Sequence, residues 1–303
     1  MRVVIISMAP RAVAGYAEML TTLGHETVGV LTSRSSHRPE ALVEVLDSTP
    51  PGLDLVVVGS KERVAPLLRS YEPDLALCSG FGWRLDPEAL AVPPLGVVNG
   101  HPSLLPRWRG PNPFGWTLRC GDDDLGFTFH LMDADFDTGP ILAQGSVPLT
   151  DDDTVSTFFA KLGPLATRLL PQALARIEAG DRGDPQPQKG ASYAPRFEDE
   201  YAEIDWTRSA REVHYQARCW FQPTVSGIMG PLTTLDGERV RVLGTKLVDA
   251  ESDAAPGTIL ERDDESLLIA CGDGPIRVLG TEPAGKRTSL PREAGGPIAS
   301  VTC

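Results

Sequence analysis

The stretch "LDLVVVGSKERVAPLLRSYEPDLALCS", residues 53–79, holds the unit from which the fold is read. A β-branched run (53–59) is followed by a helical stretch near 61–70 and then by "DLALCS" at 74–79. Strand, helix and strand in that order make a crossover unit, whose strands run parallel beneath the helix. The rhythm extends in both directions. "RVVIIS" (2–7), "ETVGVL" (26–31) and "LGVVNG" (95–100) are further strand candidates, with helical stretches near 12–23 and 39–47. The expected class is α/β, a Rossmann-like and mostly parallel sheet flanked by helices. Such sheets bind ligands beyond the carboxyl ends of their strands. The turn after the first strand reads "SMAPRAVAGYAE". It holds neither G-x-G-x-x-G nor a Walker pattern, which excludes NAD, FAD and P-loop chemistry.

Two more strands are expected, "LGFTFHLM" (125–132) and "PILAQGSVPL" (140–149), split by "DADFDTG". Phe127, Phe129 and Leu131 alternate with Thr128 and His130, the pattern of a sheet with unlike faces. His130 reads as a structural group on one of them. Residues 152–180 carry helical periodicity, with Asp152 or Asp153 as a cap and a break or kink implied by Pro164 and Pro171. "DRGDPQPQKGASYAPRFEDE" (181–200) is rich in Pro, Gly and charge and reads as a linker. The expected domains are therefore 1–196 and 197–303. The second begins with a helix near 207–221 (His214 within it reads as surface or packing). Short strands follow at 238–248, 257–262, 266–272 and 275–282, the rhythm of a small OB-like β-barrel.

The bulk numbers agree with this division. A chain of 303 residues suggests about two domains. No apolar run approaches a membrane span, and "MRVVIISMAP" reads as a first strand rather than a signal peptide. The five cysteines are odd in number and have no metal-ligand spacing. They read as buried or idle thiols in a reducing compartment, the cytoplasm. The net charge of −13 opposes non-specific nucleic-acid binding, which needs cationic surface.

"NGHPSLLPRWRG" (99–110) sits at the carboxyl end of an expected strand. Asn99 and His101, two residues apart, project to the same side. Asp137, in "DFDTGPILAQ", lies in a loop that a sheet can return to that pair. Amide, imidazole and carboxylate in one cleft suit acyl transfer. Taken singly, each has a bland reading: a satisfied histidine, an asparagine pinning a turn, a turn aspartate.

Together they resemble the folate-dependent formyltransferases. The motifs are N-x-H-P-S-L-L-P at 99–106, R-G at 109–110 and D-T-G-P at 137–140, continuing through Gln144. "EIDWTRSA" (203–210), "APGTIL" (255–260) and "LGTEPAGKR" (279–287) look like the appended domain of the methionyl-tRNA formyltransferases. The resemblance implies Asn99, His101 and Asp137 as catalytic residues and 10-formyltetrahydrofolate as formyl donor, with no metal. It implies a folate site lined by Ser103, Leu104, Leu105 and Pro106. It also implies a pterin slot between "FGWRLD" (81–86, with Trp83, Arg84 and Leu85 nearest the ring) and the backbone of 133–136, including Asp133 and Asp135. Trp83 stands equally as plain core. Trp108 and Arg109 either pack the turn or edge the acceptor site. The implied mechanism has Asn99 and a protonated His101 donating hydrogen bonds to the formyl oxygen while Asp137 stabilises the imidazolium.

The acceptor is read from charge. "TSRSSHRPEALVEV" (32–45) is short and only mildly basic where the tRNA enzymes carry a long basic loop. Residues 200–303 hold 11 basic against 16 acidic side chains. An acidic platform is a poor partner for an acidic polymer. The expected acceptor is accordingly a small-molecule amine or hydroxylamine, such as N-hydroxyornithine in siderophore assembly, with tRNA and membrane set aside as partners. Methionyl-tRNA, a sugar nucleotide and water (a formyl-folate hydrolase) are the alternatives, and a pure binding module is the non-enzymatic one. The sequence is silent on oligomeric state.

Overall fold

The computed structural model describes residues 1–34, 41–153, 155–220, 231–284 and 303. Part of the 32–45 loop, the first residues of the helix expected near 39–47, the end of the helix expected to 221 and the "GKR" of 279–287 lie outside them. The described residues form the strands β1 Arg2–Ser7, β2 Glu26–Ser33, β3 Leu55–Val58, β4 Leu75–Ser79, β5 Val97–His101, β6 Asp124–Leu131, β7 Ile141–Pro148, β8 Leu232–Leu235, β9 Glu238–Val242, β10 Thr245–Leu247, β11 Ile259–Arg262, β12 Leu267–Ala270, β13 Pro275–Val278 and β14 Thr281–Pro283. The α-helices are α1 Pro10–Thr22, α2 Ala41–Ser48, α3 Val64–Tyr71, α4 Pro87–Leu90, α5 Pro113–Arg119, α6 Val155–Glu178 and α7 Ala210–Cys219.

Contacts divide the chain into two compact units. One comprises 1–110, 124–147 and 160–193; the other comprises 111–123, 148–159 and 194–303. The first is built on a seven-stranded sheet in the order β3-β2-β1-β4-β5-β6-β7. β1 to β5 pair in parallel, and β6 runs antiparallel to β5. The β-branched runs form its buried centre: Val3, Val4, Ile5 and Ile6 have no exposed surface. Alternate side chains feed two cores. Val3, Ile5, Leu75, Leu77, Val98, Phe127 and Phe129 pack under α1 and α6 residues such as Tyr16, Leu20, Leu169 and Ala173. Val4, Ile6, Ala76, Cys78 and Val97 pack with Val64, Leu68 and Leu85 on the other face.

Of the break or kink expected at the α6 prolines, the break does not occur. The helix runs through Pro164 and Pro171. An interior proline costs about 3 kcal/mol or more. Burial of Leu165, Leu169, Leu170, Leu174 and Ile177 against the sheet offsets that loss.

The second unit carries two antiparallel sheets, β10-β13-β12-β11 and β14-β9-β8. β8 has no counterpart among the strands expected from the sequence, and the runs at 238–248 and 275–282 each divide between the two sheets. Leu235, Val240, Val242, Ile269 and Val278 form their common core. The α7 start is fixed by a capping box: Ser209 Oγ accepts from Glu212 N, and Glu212 accepts from Ser209 N. His214 bonds Thr245 Oγ1 and the Asp151 carbonyl, a packing role as expected. The thiol reading is corrected for one pair. Cys120 and Cys303, 183 residues apart, form a disulfide, while Cys78, Cys219 and Cys271 are free and buried. Only the folded chain brings residues so distant in sequence within bonding range. Among the described residues no helix is long and apolar enough to cross a membrane.

Candidate active site

β5 ends in Val97-Val98-Asn99-Gly100-His101 and is the place where the parallel sheet turns antiparallel. Cys78 of β4 lies opposite Asn99 on one side, and His130 of β6 lies opposite it on the other. Asn99 and His101 share one face of β5, and His130 joins them as the cross-strand partner of Asn99. The loop after β6 returns Asp137 to the same place. Asn99 Nδ2 donates to Asp137 Oδ1 at 3.2 Å. His101 Nδ1 lies 3.6 Å and His130 Nε2 3.5 Å from that same oxygen.

Each ring is anchored by its other nitrogen. His101 Nε2 is 2.8 Å from the Trp108 carbonyl, and His130 Nδ1 is 2.9 Å from the Leu131 carbonyl. A carbonyl only accepts, so both anchoring nitrogens carry the proton. His130 Nε2 then accepts from Asn99 Nδ2 at 3.2 Å, and His101 Nδ1 is left turned toward the carboxylate. Two residues of the site have left-handed backbone: Trp108 at φ 61° and Asp137 at φ 53°. Such strain costs of order 1–3 kcal/mol each and persists where the surroundings fix it. Here it aims the Trp108 carbonyl at His101. It also aims the Asp137 carboxylate at the Gly110 N–H, 2.8 Å from Oδ2. Gln186 braces the loop, with Nε2 on the carbonyls of Asp137 and Gly139 and Oε1 held by Arg109.

Burial would raise Asp137, but the two imidazoles and the Gly110 N–H more than offset it. The carboxyl is held well below the usual carboxylate range. Burial lowers His101 from the ordinary 6.5, against the upward pull of Asp137 and the Trp108 carbonyl. The Asn99 and Gly110 donors favour ionised Asp137 whatever the charge on His101. The resting site is therefore ionised Asp137 beside neutral His101. The protonated His101 of the sequence reading is corrected for this state, because desolvation disfavours the imidazolium.

The predicted folate residues fall into two groups. Ser103, buried, donates from Oγ to the Arg107 carbonyl, and its own carbonyl accepts from Thr128 Oγ1. Leu105 N donates to Thr128 Oγ1, while Gln144 Nε2 bonds both that hydroxyl and the Leu105 carbonyl. Leu104 packs against Gly126, and the Pro106 carbonyl accepts from Ser192 N. The 103–106 turn is thus pinned to β6 and β7. On the other segment, Leu85 is buried in the apolar core and Trp83 packs partly against it. The exposed Arg84 guanidinium lies 5.7 Å from the Phe136 ring, joining 81–86 to 133–136. Asp133 Oδ1 accepts from Asp135 N and Thr138 Oγ1, which shapes that loop. Trp108 is fully packed, with Arg107 stacked on its ring at 4.0 Å. Among the described residues no group of three or more His, Cys, Asp or Glu is placed to hold a metal ion.

The sequence reads His130 as a structural group on the sheet face, and the structure places it beside Asn99 and Asp137. The signal was present: an antiparallel strand paired at Asn99 carries a histidine into the site.

Two family profiles match the chain, "Formyl transferase" over residues 3–174 and "Formyl transferase, C-terminal domain" over 196–294. A methionyl-tRNA formyltransferase of Burkholderia vietnamiensis (strain G4 / LMG 22486) is 37% identical over 239 residues, 77% of this chain and 71% of its own. One from Burkholderia mallei (strain ATCC 23344) is 37% identical over 257 residues, 82% and 77% of the two chains. Among solved structures, HypX from Aquifex aeolicus in complex with tetrahydrofolic acid superposes with a TM-score of 0.67 at 21% identity. The match covers 94% of this chain and 45% of that one. WlaRD, a sugar 3N-formyl transferase, gives 0.67 at 16% identity, covering 93% and 97%. The two structures share the fold. The methionyl-tRNA formyltransferases overturn the exclusion of tRNA as a partner. Charge counting failed because a sum is not a local field. In the second unit many acids are already matched, as in Arg239–Glu203, Arg241–Glu282, Arg262–Asp236 and Arg277–Glu261.

Proposed function

The chain belongs to the formyl transferase family, and from that premise we propose that it carries the formyl group of 10-formyltetrahydrofolate to the amino group of methionyl-tRNA. The observation that carries the acceptor is 37% identity to methionyl-tRNA formyltransferases over as much as 82% of the chain, the C-terminal domain included. The residues fit the donor. Half-buried Trp83 and exposed Phe136, with Arg84 joining their two segments, offer apolar surface suited to a flat heteroaromatic ring, beside loop backbone with amides and carbonyls. The donor supplies the formyl carbon.

In this proposal the protein's own groups act as follows. Asn99 Nδ2 turns from its internal partners to the formyl oxygen as charge gathers there. Neutral His101 takes the proton of the attacking amine on Nδ1, the free nitrogen of the anchored ring. Asp137 stabilises the imidazolium so formed, and His101 returns the proton to the leaving nitrogen of the donor. The bond from the amine nitrogen to the formyl carbon forms as the bond from that carbon to the folate nitrogen breaks; the amine loses one hydrogen, and the folate nitrogen gains it. His130 holds Asn99 and Asp137 in register. The assignment of 1–196 to catalysis and 197–303 to the acceptor side, and a cytoplasmic setting, belong to the same proposal.

The test is transfer of label from 10-formyltetrahydrofolate to charged initiator tRNA, beside a panel of small amines and an amine-free control. Rapid labelling of the tRNA is expected. Labelling of a small amine with the tRNA untouched, or folate turnover without amine, would overturn it.

A further inference from the structure

Residue 100, between Asn99 and His101, is a glycine that its backbone does not require: it is not among the positive-φ residues. Space requires it. A Cβ there would collide with the hydroxyl oxygen of Tyr16 and lie 3.0 Å from Phe127 Cζ and 3.2 Å from Phe129 Cε1. Tyr16 comes from α1 and is 6% exposed, its ring 6.2 Å from that of Phe129. A hydroxyl in so apolar a cluster is costly unless partnered. Its partner is the Ser79 side chain. Ser79 Oγ donates in turn to the Gly100 carbonyl at 3.3 Å, and Ser7 Oγ donates to the Ser79 carbonyl at 2.6 Å. Burial pushes the phenol far above its ordinary range, so it stays neutral and carries no proton in the reaction.

We propose that Tyr16 is a positioning residue. Its hydroxyl presses on the bare face of Gly100 while Ser79 holds the Gly100–His101 peptide, and the two together set the direction in which Asn99 and His101 project. This rests on the proposed roles of Asn99 and His101. Gly29 supplies a control: a Cβ there meets Tyr71 at 2.7 Å, a similar glycine–tyrosine contact elsewhere in the sheet.

The experiment measures kcat, KM, the pH profile and melting temperature for Tyr16→Phe, Gly100→Ala, the double variant, Gly29→Ala and His101→Ala. A misplacement of 1 Å costs about 10²-fold in rate, so Gly100→Ala is expected to lose about 10²-fold in kcat and Tyr16→Phe about tenfold, with KM unchanged. The double variant returns to the Tyr16→Phe level, because the added methyl occupies the space of the lost hydroxyl. Gly29→Ala lowers the melting temperature with kcat per folded molecule unchanged. Losses in the double variant that simply multiply, or a Gly100→Ala variant that behaves like Gly29→Ala, would overturn the proposal. If Gly100→Ala does not fold, Tyr16→Phe alone decides: parental kcat and an unmoved acid limb overturn it. Full activity in His101→Ala would bring down the site assignment itself, whereas an inactive His101→Ala beside a neutral Tyr16→Phe would bring down only the role of Tyr16.

Discussion

β5 and β6 present two faces that differ in everything except their backbone. On one, Asn99, His101 and His130 gather around Asp137, and Thr128 is the cross-strand partner of His101. On the other, Gly100, Phe127, Phe129 and Leu131 lie against Tyr16 and the α6 leucines. The alternation of a strand separates them by one residue at every step. The apolar face supplies stability and rigidity, and the polar face uses both. Its left-handed residues and closely set ionisable groups would not hold their geometry on a loop without such a floor.

The comparison is broken most severely from the apolar side. Phe129→Ala should cost about 3–5 kcal/mol of unfolding free energy, read by denaturant titration, because Phe129 is wholly buried. Because Phe129 also lies against Gly100 beside Tyr16, kcat per folded molecule at low temperature should fall as well, toward the Tyr16→Phe level.

Asn99→Ala should do the reverse. Loss of an oxyanion donor typically lowers kcat by about 10²–10³. The melting temperature should move little, since Asn99 is only half-buried. A kcat near the parent's would remove Asn99 from the chemistry.

The smallest effect sharpens the electrostatics. His101 acts as a base only when neutral, and its folded pKa lies below the ordinary 6.5. The sign follows: kcat stays flat as pH falls through 6.5 and declines only at lower pH, where the imidazole protonates. Asp137 pulls that pKa upward. Asp137→Asn should therefore move the acid limb lower still and reduce the plateau, because the imidazolium loses its partner. An acid limb above 6.5 in the parent would show that the anion outweighs desolvation.

Much of this was legible in the chain. The period-two pattern of 125–132 told Phe127 and Phe129 from Thr128 and His130. The strand–helix rhythm of 53–79 fixed the class, and N-x-H with D-T-G marked the site. Short helices escaped: α4 has four residues and α5 seven, too few for periodicity to show. The prolines of α6 do not break the helix because local propensity yields to a large buried face. The acidic total misled because sequence lists charges without their partners.

The residue types at 99, 101 and 137, and the alternation that carries them, were determined by sequence alone, since strand geometry is local. Which strand faces Asn99, and hence that His130 joins it, was decided by register between segments about thirty residues apart. Tertiary contacts likewise decided the tautomer of His101, set by the Trp108 carbonyl, and the bare glycine that Tyr16 fills. Contacts of that kind exist only once the chain has closed on itself, and no spacing in the sequence encodes their distance.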